Sequence, residues 1–160
     1  MRIATRTYWG PNPFTTRACV VLRFETLAPS EASILSRSHA VVANYLSEGF
    51  GYNPPPAPKD GVAGLASALD FLATASLFIL NHVRGDLDVS GYRIVDGTPV
   101  LFVEFHHPGL TLRAVQLLLG MIAGFSAEKK ESLDTILNRF WDLCQAKHPD
   151  FQAHALIAAA

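Results

Sequence analysis

The side chains best suited to bind a metal or move a proton are three histidines, His82, His106 and His107. Imidazole is a common zinc ligand and titrates near neutral pH. Adjacent residues of a strand point to opposite faces, however, so His106 and His107 cannot easily both reach one ion. Four residues before His82, where a helix would need a second ligand, the chain has Phe78. The spacing therefore disfavours a metal site, and we expect structural or surface histidines.

Other catalytic patterns are missing from the sequence. The two cysteines, Cys19 and Cys144, have no C-x-x-C spacing, and no Gly-rich turn leads into Lys-Ser or Lys-Thr. Neither a serine nor a cysteine lies in a nucleophile-elbow pattern. Both cysteines lie in apolar stretches, and no hydrophobic run follows Arg2 and Arg6 as it would in a signal peptide. We therefore expect a cytoplasmic protein with buried, reduced thiols.

The remaining candidates are arginines of the N-terminal segment, Arg2, Arg6, Arg17 and Arg23. Guanidinium groups on neighbouring strands can bind carboxylates bidentately, although solvated strand edges would show the same composition. The chain as a whole has a net charge of -1 and a pI near 6.6. It has no overall basic field, which disfavours nucleic acid or an anionic membrane surface as its main partner.

The element around which the rest must be arranged is an apolar stretch, residues 61–85. Its apolar residues recur at helical spacing over most of the circumference, which predicts a buried central helix ended by Gly85 in a left-handed conformation. Asp70 interrupts the stretch, and residues 71–83 are too few to cross ~30 Å of hydrocarbon at ~1.5 Å per residue. A membrane span is therefore not expected.

Periodicity along the rest of the chain predicts an α+β fold, a small and mostly antiparallel sheet of about four strands packed against four helices in the order ββααββαα. A helix should start with Ser30 as its N-cap, and Asp96-Gly97 should form a hairpin turn. The near-continuous apolar run 99–105 predicts an interior strand covered on both faces. The expected strands are 1–8, 18–26, 92–95 and 99–106, and the expected further helices are 30–49, 110–123 and 132–147.

The length of 160 residues is that of one domain. We assign residues 1–148 to a single α+β domain, with Pro149 ending its last helix, and residues 149–160 to an Ala-rich tail.

The opening R-T-Y-W-G-P-N-P-F, residues 6–14, resembles the R-G-P-N-aromatic start of cyanophycin synthetases. The similarity continues through N-H-V at 81–83 and V-L-F-V-E-F at 100–105, and the tail H-A-L-I-A-A-A resembles the lead-in to an ATP-grasp domain. Those enzymes join an N-terminal domain, an ATP-grasp domain and a Mur-ligase-like domain. The resemblance implies an N-terminal domain without a cofactor of its own, with ATP and magnesium in other domains of the parent enzyme.

This chain departs from the family at three places, and at one of them the Gly-Pro-Ser-Thr expected before the tail is replaced around residues 149–152. Trp9 precedes Gly-Pro-Asn where many relatives have arginine. Some relatives carry H-x-x-E-H on the central helix, a zinc-hydrolase arrangement that cuts the polymer. Here the same window has Phe78 for the first ligand and Asn81 for the carboxylate, so His82 has no partner. The resemblance therefore implies a degenerate hydrolase window, with no catalytic residue and no metal.

In the family, the product is an aspartate backbone with arginine side chains, built by ATP-dependent amide formation. We expect a noncatalytic domain that binds this polymer or docks on the ATP-grasp domain of the same enzyme. Arg6, Arg17 and Arg23 would bind its carboxylates, with Glu25 and Glu104 as acidic partners for its guanidinium groups. The resemblance also implies a homo-oligomer through the parent enzyme.

Two other functions stay open. The chain could be a structural or oligomerisation domain, with its apolar tail and the helix that carries Trp141 packed on a partner chain. It could also be a hydrolase, which would require a metal that the sequence gives no reason to expect.

Overall fold

The fold consists of eight elements in the predicted order, seen in a computed structural model that describes residues 1–55, 64–83, 85–124 and 130–147. The α+β class and the order ββααββαα are confirmed. The predicted tail 149–160, Pro149 included, lies outside the described residues. The elements are β1 Arg2–Tyr8, β2 Cys19–Thr26, α1 Pro29–Phe50, α2 Leu65–Asn81, β3 Ser90–Val95, β4 Thr98–Glu104, α3 Pro108–Gly124 and α4 Lys130–Lys147.

The four strands form one antiparallel sheet in the order β1-β2-β4-β3. Strand β4 pairs with β2 on one side and β3 on the other, and its residues from Pro99 to Glu104 are all buried, which confirms the predicted interior strand. The β3–β4 turn has positive φ at both central residues, 50° at Asp96 and 76° at Gly97. These values suit the right-handed twist of the two strands, and the predicted hairpin is confirmed.

Helix α2 is the centre of the domain, as the sequence predicts. It packs on α1, α3, α4, β3 and β4, and Leu69, Leu72 and Ile79 are fully buried. Side chains from one face of the sheet, among them Leu22 and Leu101, join the helices in a single hydrophobic core. Of the described helices, none has the length and apolar character required to cross a membrane.

Two predicted helix ends are wrong. Helix α1 begins at Pro29 with Ala28, not Ser30, as its N-cap, because proline suits a first-turn position that needs no amide donor. Helix α2 ends at Asn81, before Gly85, with the next residue in a right-handed conformation. Gly85 instead donates its N–H to the Asn81 carbonyl over 3.1 Å, and a Cβ at Gly85 would collide with the Asn81 backbone. A glycine is required there for close approach.

The second face of the sheet carries its own small cluster, formed by Cys19, Val21, Val100 and Phe102. Tyr8, Phe14 and Val89 pack against it, and no described helix contributes a side chain. The helices therefore cover one face only, and loops and strand ends partly cover the other.

Candidate binding face

The strand register brings arginines from three strands onto the second face of the sheet. Arg6 lies opposite Val21, and Arg23 lies opposite Val100, which in turn lies opposite Arg93. Residues directly opposite in an antiparallel sheet project to the same side. The side of Val21 and Val100 is the face without helices. We call this surface, with Arg6, Arg23 and Arg93 around Val21 and Val100, the open sheet face.

A groove of about 360 Å³ runs over the open sheet face. Its floor is mostly apolar, whereas the guanidinium groups of Arg6 and Arg23 belong to exposed side chains. A concave apolar surface with a few charged groups is typical of a binding site. The groove is lined by Ala4, Thr5, Arg6, Tyr8, Pro13, Phe14, Val21, Arg23, Val95 and Val100.

Arg93 is a member of this face that sequence reasoning missed. Its guanidinium carbon lies 5.4 Å from the centre of the Phe14 ring and 5.9 Å from that of Phe102, and its Nη1 donates to the Pro13 carbonyl over 3.3 Å. Gly91 makes this arrangement possible, because a Cβ there would lie 2.6 Å from the Phe102 ring. The period-two alternation of β3 could have placed Arg93 opposite Val100, had the strand pairing been known.

The Gly-Pro-Asn turn supports the face from one side. The Asn12 amide nitrogen donates to the carbonyls of Gly10 and Arg17 over 3.1 and 2.9 Å. Its oxygen accepts the N–H groups of Phe14 and Thr15 over 3.0 and 3.1 Å. These bonds hold Phe14 in place, with its ring stacked on Phe102 at 5.4 Å. The residues that carry the family resemblance thus have a structural role here.

Glu104 lies on the same side of the sheet, but its carboxylate is already occupied. The side chain is 8 % exposed, and Oε2 accepts the N–H groups of Asp88 and Val89 over 2.8 and 2.9 Å. Oε1 accepts from Arg17 Nη1 over 3.5 Å. Glu104 therefore holds the segment before β3 in place, and its carboxylate is not exposed as an acidic group for a ligand. Arg17, more than half exposed, is tied to it.

Glu25, the other predicted acidic partner, is exposed and forms an ion pair with Arg2 over 3.4 Å. It lies two residues from Arg23 on the same strand, at the point where an irregularity interrupts the pairing of β2 with β1. Because both partners of this pair are exposed, the pair contributes little to stability and a ligand can separate it.

The degenerate hydrolase window has packing roles in this structure. The Phe78 ring lies 5.3 Å from that of Tyr52, and the His82 ring stacks on Trp141 at 3.8 Å. The Asn81 amide pairs with Leu87 in both directions, donating to its carbonyl over 2.8 Å and accepting its N–H over 3.0 Å. The three side chains thus join α2 to its neighbours. Among the described residues, no group of three or more His, Cys, Asp or Glu could hold a metal.

His106 and His107 take part in contacts within the fold, and both thiols are buried. His106 bonds to Asp86, and the His107 carbonyl accepts N–H groups of the first turn of α3. Cys19 and Cys144 are buried and free, as expected. Burial raises the pKa of the Cys144 thiol to about 11 and also raises that of Cys19. Both thiols are therefore neutral near pH 7 and weakly nucleophilic.

No protein-family model matches this chain, and no curated protein matches it. The resemblance to cyanophycin synthetases therefore stays a prediction that depends on the quoted residues.

The window around His82 leads to a prediction about metal. Purified protein is expected to contain less than about 0.1 zinc per chain and to show no zinc-dependent cleavage of cyanophycin, because a structural or catalytic zinc needs at least three protein ligands. Elemental analysis after dialysis against a non-chelating buffer measures this. His82→Ala provides the matched variant: about one zinc per chain in the wild type that disappears in His82→Ala would contradict the prediction.

Proposed function

We propose that this chain is a noncatalytic N-terminal domain of a cyanophycin-synthetase-like, ATP-dependent amide ligase, and that its open sheet face binds the growing polymer. The observation that supports this most is the position of Arg6 and Arg23 in one mostly apolar groove, with Arg93 beside it against Phe14 and Pro13. Guanidinium groups are the side chains best suited to bind carboxylates. Every repeat of an aspartate/arginine polymer carries one such carboxylate.

A binding domain of this kind helps a polymerase without doing chemistry. An enzyme that adds one residue at a time must retain a long product between cycles, and a second weak site on the same molecule raises the local concentration of the chain end. Exposed guanidinium groups give such weak, reversible binding, since water and salt screen their charge. In this proposal the parent enzyme is cytoplasmic and homo-oligomeric, and its other domains bind ATP and magnesium. The ATP-grasp domain is the neighbouring domain to which the polymer passes.

The proposed site keeps Arg6 and Arg23 from the sequence prediction and adds Arg93. Glu25 can supply an acidic contact once it leaves Arg2. Arg17 is a supporting residue because its guanidinium binds the buried Glu104.

The test is a titration of cyanophycin fragments into the folded protein. Arg6→Ala/Arg23→Ala is expected to bind about 5- to 30-fold more weakly than the wild type at low salt, since each exposed charge pair contributes about 0.2 to 1 kcal/mol and charge-assisted, bidentate pairs somewhat more. The wild-type affinity should itself fall as salt rises toward ~0.15 M, where the Debye length is ~8 Å. Isothermal titration calorimetry or NMR shift titration measures both effects.

Arg113→Ala/Arg139→Ala is the matched control, because it removes the same two charges from exposed positions on α3 and α4. It should bind like the wild type. Equal loss in both double variants would mean that net charge alone controls binding and would exclude the open sheet face as the site. If folded wild-type protein binds no fragment even at low salt, the proposed function is wrong.

The alternative, a structural or oligomerisation domain, is favoured by one observation, the exposure of large apolar side chains. Trp9 is 74 % exposed although its ring contacts Phe105 at 5.0 Å, and Ile94 on β3 is 56 % exposed. Trp141, on the helix that this alternative packs on a partner chain, is itself buried within the chain and donates its Nε1–H to the Ile79 carbonyl over 3.0 Å. Sedimentation of wild type and Trp9→Ser tests this function: a dimer that Trp9→Ser dissociates, together with no polymer binding, would support it.

A further inference from the structure

We infer that β3 is an interface strand, along which a second copy of this chain pairs antiparallel, so that the two four-stranded sheets become one continuous sheet. The partner is the same chain because the free edge of β3 complements itself about a two-fold axis, as an interface between identical copies must. The inference goes beyond the proposed function, since it concerns how copies of the domain assemble.

One edge of β3 has no strand beside it. In the order β1-β2-β4-β3, the strand pairs with β4 alone. Residues of an antiparallel strand bond alternately to one side and the other, and the Glu104 N–H of β4 donates to the Val89 carbonyl over 2.9 Å. Every second residue after Val89 therefore bonds to β4, and the backbone groups of those between point outward. The outward residues are Ser90, Tyr92 and Ile94. Within the part of the chain that the structure describes, no backbone group bonds to these three.

The opposite edge of the sheet is protected against such pairing. The pairing of β1 is irregular between Arg2 and Ile3, and both Arg2 and Arg6 are exposed on this strand. Bulges and charged side chains keep edge strands from pairing with another chain. The pairing of β3 is regular over all six residues, and its one charged side chain is held over the open sheet face by Pro13 and Phe14.

Strand β3 instead exposes apolar side chains. Ile94 is 56 % exposed and Val95 is 37 % exposed. Ile94 lies on the same side of the sheet as Tyr92, which packs at the margin of the main core. An unpaired edge with apolar side chains is a template for pairing with another strand. A second copy would therefore supply both backbone partners and cover for Ile94.

The residues of β3 also determine the register. When Tyr92 lies opposite the partner's Tyr92, Ile94 lies opposite the partner's Ser90, and the outward residues exchange about six backbone hydrogen bonds in total. Ile94 then comes within diagonal reach of the partner's Tyr92, an aromatic and β-branched pair that stabilises sheets. Arg93 lies opposite the partner's Gly91, which carries neither charge nor bulk. A register centred on Arg93 would place two like charges directly opposite each other, which is destabilising.

This pairing brings two open sheet faces side by side. Arg93 lies on that face in the strand next to the two-fold axis, so each copy contributes one arginine near the junction. A long polymer with many carboxylates could then extend from one face to the other and bind both, which increases its retention. This consequence rests on the proposed function, whereas the pairing of β3 does not.

Sedimentation equilibrium of the full chain tests the pairing, over a concentration range of about 1 to 200 µM. The wild type is expected to form a dimer. Ile94→Pro should raise the Kd of this dimer at least about 10-fold, because proline removes an outward N–H and leaves the bonds between β3 and β4 intact. Ile94→Lys, which places a charge on the same edge, should have a similar effect.

Thr7→Pro is the matched control, because it makes the same kind of change on the other edge. Thr7 is exposed and lies opposite Val20, which bonds to β4, so the Thr7 N–H points away from β2. This variant should dimerise like the wild type. Circular dichroism checks that both proline variants fold, and Ile94→Lys decides the result if Ile94→Pro does not.

Amide hydrogen exchange locates the interface residue by residue. The outward N–H groups of Tyr92 and Ile94 should exchange more slowly as the protein concentration rises and the dimer forms. The N–H groups of Arg93 and Val95, which bond to β4, should be protected at every concentration. An alternating pattern of this kind is not expected from a contact through side chains alone.

A wild type that stays monomeric over the whole range would overturn the inference and leave the proposed function standing, since one open sheet face suffices for binding. A dimer that Thr7→Pro or Trp9→Ser dissociates while the two Ile94 variants do not would also overturn it, because Trp9 contacts Phe105 beyond the end of β4. Equal dissociation by both proline variants would exclude β3 as a specific interface. Failure to bind cyanophycin fragments, measured separately, would contradict the proposed function and not the pairing.

Discussion

Leu72→Ala is expected to lower the free energy of unfolding by about 2 to 5 kcal/mol, among the largest effects of any single substitution in the chain. Leu72 is fully buried on α2, the helix that contacts both helices α1 and α3 and the sheet. Truncation removes buried methyl groups and leaves a cavity that neighbouring elements cannot easily collapse to fill. Urea denaturation, with the slope of the transition checked for constancy, measures the change.

Leu77→Ala is the matched control, because it makes the same chemical change on the same helix. Leu77 is only partly buried and packs at the margin of the core. Its truncation should therefore cost clearly less, about 1 to 2 kcal/mol. Equal losses in the two variants, or a loss below ~1 kcal/mol for Leu72→Ala, would contradict a central position of α2 as described.

Glu104→Ala is expected to cost about 2 to 4 kcal/mol, because it leaves two backbone donors without their acceptor. The N–H groups of Asp88 and Val89 both bond to Oε2, and the carboxylate is almost fully buried. Without it the segment that leads into β3 should loosen, and Arg17 loses its partner. Thermal and urea denaturation measure the loss in stability, and amide hydrogen exchange at Asp88 and Val89 locates it.

Two companion variants separate the parts of this interaction. Glu104→Gln keeps an oxygen that can accept both N–H groups and should recover part of the loss, although its amide then faces Arg17. Arg17→Ala should cost less than about 1 kcal/mol, since Arg17 is more than half exposed. If Arg17→Ala were as destabilising as Glu104→Ala, the ion pair and not the backbone bonds would hold this region. A loss below ~0.5 kcal/mol for Glu104→Ala would show that water replaces the carboxylate.

Two groups of residues differ in their role at the open sheet face. One group keeps the backbone around the face in place, and the other could contact a ligand. Glu104 and Asn12 bind backbone groups and keep the turn and the strand ends in place. Arg6, Arg23 and Arg93 contribute little to the core and are available to a ligand. Substitutions of the first kind should change stability, and substitutions of the second kind should change binding at constant stability.

The sequence by itself determined the order of the elements, the central position of α2, the interior position of β4 and the Asp96-Gly97 turn. Each of these depends on a local pattern: a helical or two-residue apolar period, a long apolar run, or a residue pair that tolerates positive φ. The period of two also indicated on which side of its own strand each of Arg6 and Arg23 lies. It could not indicate that the two sides belong to the same face of the sheet.

Only the tertiary structure decided how distant side chains combine. Arg93 became a neighbour of Arg23 because β4 lies between their strands, and Glu104 became a buried anchor because the chain before β3 turns its amides toward it. Trp141 similarly packs on His82 within the same chain. One hypothesis from the sequence had packed the helix that carries Trp141 on a partner chain. The physical reason is that periodicity fixes the direction of a side chain relative to its own element, whereas pairing depends on strand register and helix packing, which are set by contacts between residues far apart in the chain.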